Sequence, residues 1–306
     1  MVRALVTGGA GFIGGHLVDL LLECSYEVTV LDNLSTGSRS NLSEQILLVQ
    51  ADVRDVKQVR EVMAGQDVLF HLGAFVSLPE SFDRPEECHN VNVEGTRCLL
   101  EAAVAAGVGK VVFSSTSALY PELPDTPKHE DGPLEPLSPY ATSKFEGEKL
   151  LDHFFRTCGL SYVGLRYFNV FGPRQRADSA YAAVIPIFIS RALAKESLTL
   201  YGDGSQTRDF IFVKDVARAN LLAAQTKHSG IYNVGSGLPM SILDLANQVC
   251  ELLRSSDKHD YAPRRPGDLL SSTAAIERIG QDLKWQAEFS FAEGLQQTLE
   301  WWKNLE

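Results

Sequence analysis

Val6-Thr7-Gly8-Gly9-Ala10-Gly11-Phe12-Ile13-Gly14 places three glycines at GxxGxxG spacing, joining an apolar, β-branched run to a segment of helical periodicity. Each glycine has a use in a strand-to-helix turn that takes a phosphate. Gly8 permits the tight turn, Gly11 lets the backbone approach a pyrophosphate, and Gly14 allows the helix to pack closely. The helix N-terminus, with Phe12 and Ile13 in its first turn, stabilises negative charge. A second apolar run, Glu27–Asp32, ends about 20 residues further on with Asp32 and then Asn33. A carboxylate there accepts both hydroxyls of a ribose and repels a 2′-phosphate, so the pattern favours NAD over NADP. Asp52-Val53, after the third apolar run, stands where a carboxylate can meet the adenine amino group; a surface aspartate after a strand is an equal alternative.

Outward from this motif, short β-branched runs alternate with helix-period segments. Strands are expected near Val2–Thr7, Glu27–Asp32, Ile46–Gln50, Asp67–His71, Lys110–Ser114 and Ser161–Arg166, and helices near Phe12–Cys24, Val56–Ala64, Val91–Ala106 and Tyr140–Cys158. The βαβα order predicts an α/β fold of the Rossmann type, a doubly wound parallel sheet with helices on both faces. Beyond Tyr167 the pattern loosens, and Arg174–Tyr181, Tyr201–Arg208 and Tyr261–Ser271 are rich in Gly, Pro, Arg and Asp. Such a half supplies substrate contacts at the carboxyl edge of the sheet. The expected division is an NAD-binding domain over residues 1–170 and a smaller C-terminal α/β substrate domain over most of 171–306, with a segment at about 210–235 returning to the first.

With 306 residues, 44% of them hydrophobic, the chain can bury a core without a disulfide or a metal. Its formal charge of −11 repels nucleic acid and anionic lipid, so a phosphate-bearing ligand has to be held by local arginines. Five cysteines (Cys24, Cys88, Cys98, Cys158, Cys250) form no C-x-x-C pair, and the chain opens into Val2–Thr7 without a leader pattern. Reduced thiols in a cytoplasm are expected. Apolar patterns such as Leu17–Leu22 are broken by charge well short of the roughly 20 residues of a membrane span, so no membrane segment is expected.

Tyr140-Ala141-Thr142-Ser143-Lys144 begins the last predicted helix, and residues four apart share a face, so a phenol and an ammonium project together. A free tyrosine titrates near pH 10; acting as a base near neutrality requires a shift of about 3 units, roughly 4 kcal/mol. Lys144 and a positive nicotinamide ring can supply it. An isolated YxxxK is commonly a solvated pair on an ordinary helix, but behind a glycine-rich βαβ unit it points to chemistry. The preceding strand runs into Phe113-Ser114-Ser115-Thr116-Ser117-Ala118-Leu119-Tyr120, which sets several hydroxyls at the sheet edge. His71 reads as a structural strand-end histidine.

Seven segments, TGGAGFIG, HLGA, NVEGT, SSTSALY, YATSK, LRYFNVFGPRQ and RPGD, resemble in order and spacing the extended short-chain dehydrogenase/reductases, specifically the UDP-hexose 4-epimerase branch. The resemblance covers nearly the whole chain. It implies that Thr116, Tyr140 and Lys144 are catalytic, with Ser117 a weaker neighbour, and that Leu72, Gly73, Ala74 and Asn92 line NAD. It also implies that Lys144 bonds the nicotinamide ribose and that Tyr167 and Phe168 approach the nicotinamide; for Leu72, Ala74 and Phe168 ordinary packing is the plainer reading. For the UDP-sugar, it assigns Asn169 to a phosphate or sugar oxygen, Tyr201 to the uracil, Arg208 and Arg265 to the diphosphate, and Asp268 to the nucleotide ribose. Arg174 adds a guanidinium suited to phosphate. In relatives the helices matching Val91–Ala106 and Tyr140–Cys158 form a dimer interface, so a homodimer is expected, although packing within one chain also explains Leu99, Leu100, Leu150, Leu151, Phe154 and Phe155.

The resemblance also separates neighbouring chemistries. Sugar 4,6-dehydratases carry an Asp-Glu pair after the catalytic Thr, and nucleotide-sugar decarboxylases a Glu at the second position; this chain has Ser117-Ala118. Ser272, four residues after Asp268, stands where members restricted to plain hexoses have Tyr and those accepting N-acetylhexosamines have a small residue. The run Tyr181-Ala182-Ala183-Val184-Ile185-Pro186 also resembles the latter, and places Val184 beside the sugar. The expected activity is NAD-dependent 4-epimerisation of UDP-glucose/UDP-galactose, with tolerance of the N-acetyl forms. The alternatives are a UDP-glucuronate 4-epimerase, which shares GPRQR but usually has Thr at Asn169, a 4-ketosugar reductase, and a non-catalytic dinucleotide-binding protein.

Overall fold

The apolar run before the glycine motif forms β1 (Arg3–Thr7), an interior strand of a seven-stranded parallel sheet, in a computed structural model that describes residues 1–122, 127–176, 183–255, 259–264 and 270–304. On one side lie β2 (Glu27–Leu31) and β3 (Leu47–Val49); on the other lie β4 (Val68–His71), β5 (Lys110–Thr116) and β6 (Tyr162–Tyr167). Strands therefore wind outward from β1 in both directions, and the switch between β1 and β4 opens a crevice at their carboxyl ends. Alternation assigns the strand residues to two cores. Ala4 and Val6 face Leu17, Val18 and Leu21, whereas Leu5 faces Leu99, Val111 and Leu151.

Local signals set the helices. α1 (Phe12–Glu23) follows the glycine turn, and Asp55 caps α2 (Val56–Met63) by accepting from the amides of Lys57 and Gln58. Two short helices absent from the sequence reading, α3 (Leu78–Asp83) and α4 (Pro85–His89), follow β4, the first capped by Ser77. A π-helical turn, Asn90–Glu94, then leads into α5 (Gly95–Ala106), so the helix expected from Val91 begins earlier and carries a bulge. α6 (Pro139–Cys158) is capped by Ser138 and ends at Gly159 in the left-handed conformation.

The second half builds its own layer from β7 (Asn169–Phe171), α7 (Val184–Leu193), β8 (Leu198–Tyr201) and β9 (Thr207–Phe212). α8 (Val213–Gln225) then packs on α1, and β10 (Gly230–Val234) pairs with β6 as the seventh strand. The stretch of about 210–235 expected to rejoin the first domain comprises the end of β9, α8 and β10. β9 lies between two cores, with Phe210 and Phe212 in the second and Ile211 in the first. β11 (Pro239–Ser241) and β13 (Ser271–Ser272) flank β9, while β12 (His259–Ala262) pairs with β8. α9 (Ile242–Leu253) and α11 (Phe291–Lys303) cover the second core. Between them α10 (Glu277–Leu283), with Trp285, returns to the core of the large sheet, a second return that the sequence reading missed. All five cysteines are free thiols, and among the described residues no helix is long and apolar enough to cross a membrane.

Candidate active site

A cleft of about 1080 Å³ opens at the carboxyl edge over the switch point. It matches the upper end of the roughly 300–1,000 Å³ range of small-molecule sites, enough for a ligand larger than one sugar. Its floor is the glycine turn. Gly8 has φ +69°, and a Cβ there would come within 2.5 Å of the Gly73 amide nitrogen; a Cβ at Gly14 would lie 2.1 Å from the Gly8 carbonyl oxygen. Only glycine lets the two strand ends meet so closely. Gly11, Phe12, Ile13, Asp32, Asn33, Asp52, Val53, Leu72, Gly73, Ala74 and Tyr167 all lie on the wall.

Several of these groups already have partners. Asp32 accepts from the Ala10 amide at 3.0 Å and the Leu34 amide at 2.8 Å, one on each carboxylate oxygen, which leaves each oxygen a lone pair for a ribose hydroxyl. Asp52 is gripped by Arg54 through Nε at 2.7 Å and Nη2 at 2.8 Å, and Asn33 donates to it at 3.2 Å; this guanidinium holds its carboxyl down at about 2. Asn92 departs from expectation. It is buried in the π-helical turn behind the wall, where its amide accepts from Phe75 N at 2.7 Å and donates to Phe75 O at 3.0 Å and Ser143 Oγ at 2.9 Å. It shapes the lining instead of forming it.

β5 and the first two turns of α6 bring Thr116, Tyr140 and Lys144 together on the cleft wall. Thr116 Oγ1 accepts from the Ala118 amide at 3.1 Å and is hydrogen-bonded to the Tyr140 phenol. Lys144 Nζ donates to the Ser114 carbonyl at 2.9 Å and stands 5.0 Å from the centre of the Phe113 ring. Burial pushes the phenol up to about 12, against the Thr116 hydrogen bond, and brings the ammonium down to about 8. The Tyr167 hydroxyl accepts from Ser114 Oγ at 3.1 Å and donates to Asn220 at 2.9 Å, which locks its ring against the cleft. Phe168 also lines the cleft.

His71 is structural, as read. Thr96 donates to the Asn92 carbonyl at 2.6 Å, so its oxygen accepts from His71 Nε2 at 2.9 Å; the Thr7 hydroxyl then donates to Nδ1 at 2.8 Å. The ring ties β1 and β4 to the first turn of α5.

The residues expected at the nucleotide sugar gather on the second layer. Arg208 and Ser272 are register partners in β9 and β13, Asn169 opens β7 opposite Phe210, Tyr201 ends β8, and Val184 starts α7. None of these five is on the wall of the main cleft, and Arg265 and Asp268 lie outside the described residues. Arg174 was expected beside a phosphate; it lines the cleft and packs on α1, paired with Asp19 at 2.8 Å, and one guanidinium nitrogen is buried against Gly15 without a hydrogen-bond partner. His16, also on α1, bonds the Pro173 carbonyl at 2.9 Å. An orphaned donor beside the glycine cradle fits a dinucleotide's phosphates. Reading the sequence missed Ser35, Thr36, Ser38 and Trp301, which line the same cleft. The hydroxyl run after β2 was a signal that could have found the first three; nothing marked the tryptophan.

Cradle, carboxylate after β2 and buried Tyr–Lys pair together define a dinucleotide-dependent enzyme of the short-chain dehydrogenase/reductase kind. Residues 4–235 match the NAD dependent epimerase/dehydratase family, and the chain belongs to it, with NAD as its cofactor. It is 38% identical over 311 residues to the UDP-glucose 4-epimerase of Mycolicibacterium smegmatis, with 99% of each chain covered. Among solved structures, the UDP-N-acetylglucosamine 4-epimerase of Methanobrevibacter ruminantium M1, in complex with UDP-N-acetylmuramic acid, superposes with a TM-score of 0.96 at 40% identity, covering 100% of this chain and 99% of that one. The Thermotoga maritima UDP-glucose 4-epimerase with UDP-glucose gives 0.96 at 37%, with all of both chains covered.

Proposed function

We propose that the enzyme inverts carbon 4 of a UDP-hexose through a bound 4-keto sugar, interconverting UDP-glucose and UDP-galactose and also their N-acetylated counterparts. The observation that carries this reading is the convergence of Thr116, Tyr140 and Lys144 on one wall while Ser117 and Ala118 bring no second acid or base. Inversion by oxidation and re-reduction needs one proton acceptor at the 4-hydroxyl; water loss or decarboxylation needs more. NAD, held by the glycine cradle, Asp32 and the Arg174 guanidinium, supplies a hydride acceptor and donor. Tyr140 takes the 4-hydroxyl proton and, once the ketone has turned over to present its opposite face, returns a proton to the same oxygen. Thr116, whose oxygen is occupied by the Ala118 amide, keeps its proton for the phenolate or for the sugar oxygen. Lys144, still largely protonated near neutrality, stabilises the phenolate.

On this reading the nucleotide is held by Tyr201, Arg208, Arg265 and Asp268, the sugar by Asn169, Val184 and Ser272, and the enzyme works as a homodimer. Leu99, Leu100 and Leu151 are spent on the chain's own core, so the interface rests on the outer residues of α5 and α6, Phe155 among them. A uronate is the second reading, supported by Arg176 on the cleft wall, a suitable partner for a carboxylate. Asn169 stands against it.

The test is incubation of the purified protein with UDP-galactose, UDP-N-acetylgalactosamine and UDP-glucuronate in separate samples, followed by NMR without added NAD. The 4-epimers of the first two are expected, and Tyr140→Phe should lower their rate by about 10²–10⁴-fold while leaving the cofactor bound. Turnover of the glucuronate alone transfers the assignment to the second reading.

A further inference from the structure

We infer that the buried ion pair of Glu148 and Arg166 is a positioning device, which sets Thr116, Tyr140, Lys144 and Tyr167 relative to one another and keeps the net charge beneath the Tyr140 phenol at zero. The inference rests on the proposed roles of Tyr140 and Lys144. Arg166 grips Glu148 with both branches of its guanidinium, Nε to Oε1 at 2.9 Å and Nη2 to Oε2 at 2.7 Å, and Ser115 Oγ donates to the same Oε1 at 2.6 Å. The two charged side chains are 4% and 6% exposed, and neither lies on the cleft wall.

The three elements joined are the three that carry the chemistry. Ser115 precedes Thr116 on β5, Arg166 precedes Tyr167 on β6, and the two are register partners. Glu148 is one turn beyond Lys144 and two beyond Tyr140 on α6. The network continues outward: Arg166 Nη1 donates to Tyr120 Oη at 2.8 Å, and Tyr120 donates to Asn233 Oδ1 at 2.7 Å. Asn233 in turn donates to the Lys128 carbonyl at 2.7 Å. Burying two charges is a poor route to stability, since apolar side chains of the same volume serve as well or better. What the pair adds is geometry, because a bidentate fork fixes angle as well as distance.

Each charge alone would be felt at the phenol. Two helical turns are roughly 12 Å, and at that range an uncompensated buried charge moves a titration by about one pH unit. The groups already facing Tyr140 are Thr116 from β5 and Cys88 from α4; Lys144 is faced by Cys88 and by His71 from β4. All remain in the variants below.

The experiment compares NAD-loaded wild type with Glu148→Gln, Arg166→Met and the charge-balanced double variant. The kcat–pH profile on UDP-galactose is measured beside the ultraviolet titration of the Tyr140 phenol, taken as a difference against Tyr140→Phe. Glu148→Gln should move the acid limb and the phenol down by about one pH unit and Arg166→Met should move them up. The double variant should restore both positions yet keep a kcat lowered by about 10- to 100-fold, with KM changed by less than about twofold. Single variants that titrate like wild type, or a folded double variant with wild-type kcat, overturn the inference. Should the single variants not fold, the kcat of the double variant decides alone. Should the wild type not epimerise at all, the proposed function fails, and the phenol titration still decides: opposite displacements support the positioning role and an unmoved phenol overturns it.

Discussion

Burial drives Tyr140 and Lys144 toward their neutral forms, the phenol up to about 12 and the ammonium down to about 8. A phenol so placed is a poor base until positive charge arrives above it, so turnover is tied to possession of the oxidised cofactor. The Tyr140–Lys144 interval was legible because four residues on a helix always share a face. Asp52 was legible only as a carboxylate after a strand; that Arg54 takes both its oxygens is a matter of side-chain geometry. Ser272 tests the sugar pocket at this same scale. It is buried in β13 opposite Arg208, and Ser272→Tyr should depress the rate on UDP-N-acetylgalactosamine relative to UDP-galactose by about 10- to 200-fold. Equal loss on both sugars, measured as the ratio of kcat/KM values, would remove Ser272 from the acetamido pocket.

Among the elements, the strand–turn–helix unit of β1 and α1 is the most strongly specified. Gly14 stands where a Cβ would meet the Gly8 carbonyl at 2.1 Å, and backbone cannot swing aside as a side chain can. Gly14→Ala should therefore displace α1 from the turn and destabilise the protein by about 1–3 kcal/mol. The same protein should be purified with little NAD, which absorbance of the perchloric acid extract would report; a full complement of cofactor would mean that the turn tolerates the methyl group. The π-helical turn at Asn90–Glu94 shows the opposite case. Its sequence reads as ordinary helix, and the bulge exists because Asn92 reaches back to Phe75 and across to Ser143, contacts that no local period encodes. β9, a strand not expected from the sequence, likewise depends on tertiary packing, since alternate residues serve two cores.

Across the whole molecule, two buried histidines couple stability to pH. His16, between α1 and the Pro173 loop, is brought down by burial to about 4, and His71 to about 3, from an unfolded value near 6.5. Both folded values lie below the unfolded one, so the unfolded chain takes up more protons on acidification. The stability each provides is complete above pH 6.5 and drains away as pH falls toward its folded value, by about 1.4 kcal/mol per pH unit for each histidine. Denaturant midpoints measured between roughly pH 6.5 and 5 should fall in wild type and fall more gently in His16→Asn; equal slopes would show that His16 does not titrate on unfolding. The sequence by itself determined the doubly wound class, the dinucleotide turn, the preference for NAD and the Tyr–Lys pair, because each depends on residues within one helical turn, one strand or one βαβ unit. Only the tertiary structure decided that Arg174 turns to α1, that Asn92 stands behind the wall, and that Glu148 and Arg166 meet beneath the site. Those outcomes depend on partners far apart in sequence, whose burial leaves each polar group only the neighbours that the packing supplies.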